Sequence, residues 1–129
     1  MSPITEFMDL LSKTVEDNCD IDFPVSLEEL PAKGGLYAES GVGFTQSLYG
    51  DKTGIKVIPV LFLSRNAYQR RGMEQLEEIC NYLQRRKEYP SGELFTWLDA
   101  EIEKEPSKIG RDEDGVYHHS AILNCKLFY

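Results

Sequence analysis

The sequence predicts an α+β fold, a mainly antiparallel β-sheet packed by an N-terminal helix and one long central helix. Apolar residues recur at helical spacing at the start of the chain and after residue 66, while residues 36–63 and 94–129 carry strand-like patterns. The reversals between neighbouring strands are short enough for hairpins. The 129 residues, 41% of them hydrophobic, suit a single domain, 1–129. A chain of this size buries roughly two-thirds of its unfolded surface and needs neither disulfide nor metal to hold together.

Ile4, Phe7, Met8, Leu11 and Val15 fall three and four apart, which aligns them on one face of the first helix. Ser2 is its expected N-cap and Pro3 its first residue, where a missing N–H costs nothing. From Asn18 to Gly35 two prolines and the Gly34-Gly35 pair break any period, so this stretch reads as a connector. Within it Ser26, followed by Glu28 and Glu29, favours a short helical turn to Leu30.

Leu36 to Tyr49 mixes alternating and small residues and leads into Gly50-Asp51-Lys52-Thr53-Gly54, a turn cluster, so a hairpin is expected. Its second arm, Ile55 to Leu63, is apolar at both parities and reads as a central strand covered on both sides. Pro59 cannot donate to a ladder, so an irregularity is expected there.

Asn66 is the expected cap of the long helix, running to about Tyr89 with Met73, Leu76, Ile79, Cys80 and Leu83 as its buried stripe. Arg85, Arg86 and Lys87 suit the negative end of its dipole, and Pro90 and Gly92 stop it. Leu94 to Glu103 reads as a strand through Phe95, Thr96 and Trp97, against the helix-friendly AEIEKE that follows. Asp112-Glu113-Asp114-Gly115 supplies a turn into a C-terminal strand, Gly115 to Tyr129. There Tyr117, Ala121, Leu123, Cys125, Leu127 and Tyr129 share one face, and His118, Ser120, Asn124 and Lys126 lie mainly on the other.

Composition narrows the function classes. The chain has 14 Lys and Arg against 22 Asp and Glu, a net charge of −8, which disfavours stable binding to nucleic-acid phosphates. Cys19, Cys80 and Cys125 are odd in number and widely spaced, unlike a disulfide framework or metal knuckle, and imply a reducing compartment. The N-terminus has no signal-peptide pattern, and the longest nearly unbroken apolar run, Val57 to Leu63, is far short of the roughly 20 residues of a spanning helix. A soluble protein without membrane association is expected.

No catalytic, cofactor-binding or metal residue emerges from the motifs. Gly41-Val42-Gly43 begins like a dinucleotide fingerprint, but Gln46 occupies the third glycine position, so a strand bulge is the better reading. Asp112, Asp114 and Gly115 resemble part of a calcium loop that lacks its closing Glu. His118 and His119 are adjacent in a strand and point to opposite faces, which makes them a poor metal pair. Cys80 and Cys125 sit on apolar faces as small hydrophobes. A small enzyme would need His118 or His119 brought beside a carboxylate such as Asp99 or Glu101.

Charge is unevenly spread: residues 1–64 sum to −6, residues 65–89 to +2 and residues 90–129 to −4. A basic helix segment on an acidic body can orient identical subunits, and Arg65, Arg70, Arg71, Arg85 and Arg86 are its candidate interface residues.

The segments ITEFMDLL, IKVIPVLFLSRN, MEQLEEICNYLQ and DEDGVYHHSAILNCKLFY, in this order over nearly the whole chain, resemble the small minor capsid and tail-terminator (head-tail joining) proteins of long-tailed bacteriophages. The resemblance implies a structural virion protein of a phage or prophage, with no active site. It implies a homo-oligomeric ring, commonly hexameric, that contacts tail-tube and head-connector proteins. DNA would pass through without stable binding, and the protein would occupy the bacterial cytoplasm during assembly and then the virion. A closed ring needs heterologous contacts, one patch meeting a different patch on the next subunit. The glycine-rich arm Glu39 to Gly54, with Phe44, Leu48, Tyr49, Asp51 and Lys52, is the expected assembly loop. The alternative is an acidic binding or inhibitor module that mimics nucleic acid towards a basic partner.

Overall fold

The computed structural model describes residues 1–30 and 34–129; the part of the predicted connector at 31–33 lies outside the described residues. The chain is α+β. Helix α1 (Pro3–Asn18) is followed by strands β1 (Val25–Ser26), β2 (Gly35–Ser40), β3 (Phe44–Leu48) and β4 (Gly54–Asn66). Helix α2 (Gln69–Arg85) and the long strands β5 (Thr96–Arg111) and β6 (Tyr117–Phe128) complete it.

The strands form one sheet in the order β1-β2-β4-β6-β5, in which only the short β1–β2 pair is parallel. β6 runs along one edge of β4 in unbroken register from Ile55↔Phe128 to Asn66↔Tyr117. The other edge of β4 is shared: β2 takes residues 60–65 and β3 takes residues 54–57. The predicted hairpin is therefore present, interrupted at Gly41-Val42-Gly43, where the dinucleotide-like glycines form the break between β2 and β3. Gly41 N donates to the Pro59 carbonyl at 2.7 Å. In an antiparallel strand a residue's N–H and C=O point the same way, so the N–H that Pro59 lacks faces this break, where no ladder bond is lost. The turn closes at Gly54, where a Cβ would run into the Ser47 carbonyl oxygen. Gly54 also exchanges backbone bonds with Tyr129 at 2.9 and 3.2 Å, tying the C-terminus to the hairpin base.

The N-cap of α1 is as expected: Ser2 Oγ accepts from Thr5 N at 3.1 Å and Pro3 opens the helix. Phe7, Met8, Leu11 and Val15 are buried. α1 lies over β1 and β2, and α2 over β4, β5 and β6. Both helices contribute to one core with Leu36 and Ala38 of β2, Ile58, Val60 and Phe62 of β4, and Ala121, Leu123, Cys125 and Leu127 of β6. Phe7 makes edge-to-face contacts with Phe95 and Trp97 at 5.7 and 5.1 Å between centroids, and Tyr89 stacks on Trp97 at 4.7 Å. These rings fasten α1 to the segment between α2 and β5.

Several sequence expectations are corrected. The Ser26 to Leu30 helical turn does not form; Ser26 lies in β1, and its hydroxyl accepts from Glu29 N at 3.3 Å in a local turn. Asn66 is not the cap of α2, because pairing with Tyr117 keeps it in β4. Its Oδ1 accepts from Tyr68 N at 2.9 Å, and Tyr68 holds the cap position without a side-chain bond. α2 stops at Arg85, short of Tyr89, whose ring leaves for Trp97 and whose hydroxyl donates to the Leu83 carbonyl at 2.5 Å. β5 runs to Arg111, beyond the expected end at Glu103, because β6 offers a ladder that outweighs the helix propensity of AEIEKE. Pro106 is tolerated because β5 is an edge strand.

β4 is central, but both helices lie on its even-numbered side with Ile58, Val60 and Phe62. Its odd-numbered residues point to the opposite face, where no helix among the described residues packs. Ile55, Pro59, Leu61 and Leu63 are half-buried there, while Val57, opposite Phe44, is buried.

The β5–β6 turn is held by Asp112, whose Oδ1 accepts from Asp114 N and Val116 N at 3.0 and 3.1 Å, while Oδ2 meets His118 Nε2 at 3.1 Å. Gly115 takes the left-handed conformation the turn requires, at φ +81°. The bond from Val116 N, then that from His118, holds the Asp112 carboxyl below its ordinary value of 3.8. A lowered carboxyl contributes stability that is present above 3.8 and lost as pH falls through the folded value. Asp112→Asn is therefore expected to melt below the wild type at pH 7, with the gap narrowing as pH drops beneath 3.8, measured by thermal denaturation across pH. Phe7→Ala, which empties the centre of the aromatic cluster, is expected to cost about 3–5 kcal/mol in urea unfolding.

Candidate assembly interface

Reading across the sheet, the uncovered face is a set of register rows. One row runs Glu39, Leu61, Ile122, Lys104, and its neighbour runs Tyr37, Leu63, Ser120, Ser107. Tyr37 and Glu39 share this face, since the tyrosine hydroxyl donates to Glu39 Oε2 at 2.9 Å. Lys104 Nζ donates to Ser120 Oγ at 2.7 Å, which covers a serine expected to be outward and leaves it buried. The row of Glu39 and Lys104 thus carries one anion and one cation flanking an apolar pair.

The β3–β4 hairpin lies at the start of β4, whose residues 54–57 pair with β3 on one edge while 55–57 pair with β6 on the other. Phe44, Leu48 and Tyr49 are 60%, 67% and 50% exposed, an unusual concentration of large apolar side chains in solvent. Val42, in the break, is exposed as well. Tyr49 leans on Phe128 with 6.0 Å between centroids. Asp51 Oδ1 accepts from both the hydroxyl and the amide of Thr53, at 2.6 and 3.1 Å. These bonds keep the Asp51 carboxyl below its ordinary value, hence ionised at neutral pH. Lys52 beside it adopts a left-handed backbone, φ +71°. The five predicted loop residues thus lie on one hairpin, Phe44 at the start of β3 and the other four at or next to its turn.

The five arginines of the basic segment do not form one patch. Arg65, Arg70 and Arg71 lie near the start of α2 and Arg85 and Arg86 at its end, about 20 Å away at ~1.5 Å rise per residue. Arg71 is held within the chain by Asp22, with Nε at 2.9 Å from Oδ2, and by the Asp20 carbonyl at 3.1 Å. Arg65 Nε donates to His118 Nδ1 at 3.4 Å on the uncovered face. Arg70 lines a cleft with Lys108, Glu74 and His119. Arg86 bonds the Tyr82 hydroxyl and the Glu88 carbonyl.

The histidines point to opposite faces, as their adjacency dictates. His118 joins Asp112, and the paired carboxylates Asp99 and Glu101 lie opposite Lys126 and Asn124, six or more residues further along β6. That is about 20 Å at ~3.3 Å per residue, so His118 and either carboxylate are not brought together. His119 is buried beneath Gly72 of α2, directly opposite Ser64, and its Nδ1 and Ser64 Oγ have no hydrogen-bond partner among the described residues. All three cysteines are free and buried. Burial, with Glu78 adding to it, pushes the Cys19 thiol up to about 11, and burial with Glu105 pushes Cys80 up to about 12. The Cys125 thiol is raised by burial too. These thiols stay protonated at neutral pH. Among the described residues no group of three or more His, Cys, Asp or Glu side chains is placed to hold a metal, and no helix is long and apolar enough to cross a membrane.

Sequence reasoning found the hairpin but missed the uncovered face. Its signal, apolar residues at both parities of 55–63, was read as burial on both sides.

No protein-family model matches this chain, and no curated protein matches it.

Burial, then Lys108 and His118, lowers the His119 pKa from its ordinary 6.5, so protonation favours the unfolded chain. Its contribution to stability is complete above 6.5 and declines as pH falls towards the folded value. His119→Leu is expected to remove part of the stability loss between neutral pH and pH 5 while leaving the alkaline melting temperature unreduced, as read by thermal melts in matched buffers.

Proposed function

We propose that this chain is a structural virion protein of a long-tailed phage or prophage, a minor capsid or tail-terminator protein that forms a ring at the head-tail junction. The observation that carries the reading is the β3–β4 hairpin, where Phe44, Leu48 and Tyr49 are exposed on a segment tied to the fold by strand pairing with β4. A monomer gains nothing by placing three such side chains in water, whereas a subunit contact removes them from it. The resemblance in element order points the same way, and heterologous contacts between such subunits close into rings. The partners on this reading are further copies of the chain, commonly six in all, and the tail-tube and head-connector proteins on either side. The net charge of −8 would let DNA pass without sticking, if the acidic residues line the lumen. Its sites are the bacterial cytoplasm during assembly and the finished virion.

A specific feature favours the second reading, an acidic module that mimics nucleic acid. Glu101, Glu103 and Glu105 on the β5 edge strand, with Glu113 and Asp114 at its turn, are exposed. Self-association separates the two, because a mimic stays small and binds a basic protein.

The test is molar mass by light scattering over a concentration series, with negative-stain imaging of the same sample. Discrete rings of about six subunits are expected on this reading. Deleting residues 41–53 is a poor probe, since Ser40 pairs with Val60 and joining it to Gly54 would pull six residues of β4 out of register. The triple substitution Phe44→Ser, Leu48→Ser and Tyr49→Ser keeps the chain length, and is expected to leave the melting temperature nearly unchanged while abolishing rings. Ring assembly by that variant would overturn the role given to the hairpin.

A further inference from the structure

We propose that the β3–β4 hairpin tip of one copy seats on the uncovered sheet face of the next copy, across the row Glu39, Leu61, Ile122, Lys104. The inference rests on the reading of the chain as self-assembling, and supplies the receptor for the exposed hairpin.

Two unlike patches are on the same molecule. The tip offers apolar Leu48 and Tyr49 beside the charged pair Asp51 and Lys52. The face offers the apolar pair Leu61 and Ile122 between Glu39 and Lys104. Each patch is apolar and carries one charge of each sign, so Asp51 meets Lys104 while Lys52 meets Glu39 as Tyr49, which lies on the Phe128 side of the hairpin, covers the aliphatic pair. Asp51 is fixed as an anion by Thr53. From Ser40 to Gly50 the chain has no charged residue and Asp51 and Lys52 cancel, so this arm adds no net charge to the repulsion between two copies of net charge −8.

The receptor must be another copy. Leu48 pairs with Gly54, whereas the row lies at Leu61, seven residues along the same strand and about 23 Å away at ~3.3 Å per residue. A hairpin paired to the start of β4 cannot fold back onto that row of its own sheet. Because the two patches differ and are separated, the contact leaves a free hairpin and a free face at the ends of each pair of copies unless the two pair reciprocally, and head-to-tail repetition of it is the type that closes into rings. The opposite sheet edge is a weaker candidate for subunit contact, since β5 carries Pro106, repeated register shifts and exposed glutamates, which are features that blunt an edge.

The experiment is two charge-reversal cycles, Lys104→Glu with Asp51→Lys and Lys52→Glu with Glu39→Lys, each as singles and as a double. Assembly is read by sedimentation velocity across concentration, with thermal melts to confirm folding. The second cycle stands apart from the Asp51–Thr53 turn bonds, so a hairpin loosened by Asp51→Lys does not decide the result. Each single is expected to raise the concentration needed for assembly by about tenfold, and each double to restore most of the loss. In parallel, Tyr49→Cys with Ile122→Cys is treated with a short bismaleimide; the three native thiols are buried, and an intermolecular 49-to-122 product is expected.

Closed rings indifferent to all four charge reversals would overturn the tip-to-face contact and leave the ring reading standing. Charge-coupled, cross-linkable oligomers that never close would support the contact and count against the ring. A two-fold dimer that advances no further and gives no 49-to-122 product, or a chain monomeric at every concentration without that product, would overturn the contact.

Discussion

The antiparallel ladder between β4 and β6 holds everything else in place. Its register is unbroken over twelve pairs from Ile55↔Phe128 to Asn66↔Tyr117, whereas the β3–β4 and β5–β6 pairings are shifted. Side chains alternate with a period of two, so a slip of one residue in this ladder would turn Val60, Phe62, Leu123 and Cys125 out of the core together. The same register fixes where α2 begins, because pairing with Tyr117 holds Asn66 in the strand, and where the chain ends, because Tyr129 bonds the turn at Gly54. The irregularities are pushed outward onto the break between β2 and β3, onto β3 and onto β5, where an edge can absorb a proline or an extra residue.

Placing both helices on one side of this ladder makes the sheet two-faced. The helical side is a conventional core with an aromatic cluster at one end, and buried groups there are chemically quiet: cysteines held protonated and a histidine disfavoured from charging. The other side is chemically mixed, with aliphatic residues of β4 and β6 among Glu39, Lys104 and Arg65. A face of that kind, half apolar and carrying both signs of charge, suits a contact that must form between copies yet leave the single chain dispersed in water. The hairpin is the natural counterpart, because strand pairing gives it stiffness while β3 adds almost nothing to the core.

Much of the fold was legible in local patterns. Ser2-Pro3 and the spacing of Phe7, Met8, Leu11 and Val15 located α1, and the Asp112–Gly115 turn located the last hairpin. The glycines at 41 and 43 and the proline at 59 each announced an irregularity, and the two turned out to face one another across the sheet. The failures have a common cause. Asn66 is a good helix cap in isolation, and the strand through AEIEKE was expected to stop at Glu103, but β6 offered both segments backbone partners, and tertiary pairing outweighs a local preference of a few tenths of a kcal/mol to about 1 kcal/mol. The basic segment failed as a patch for a related reason: charges close in sequence lie at the two ends of a helix in space, and Arg71 is occupied by Asp22.

By itself the sequence determined the two helices and the strand character of the segments around 36–49, 55–63, 94–103 and 115–129, the strand parity that buries Leu123 and Cys125, and the exposed, uncharged character of the arm around Phe44 and Leu48, because these depend on backbone geometry and side chains within a few residues. Only the tertiary structure decided that the second apolar face of β4 stays uncovered, that Glu39 and Lys104 flank Leu61 and Ile122 in one row, and that His118 lies with Asp112 rather than Asp99. Those outcomes depend on which strands become neighbours and on which side the helices settle, and an apolar run at both parities is the same string whether a second layer or another subunit covers it.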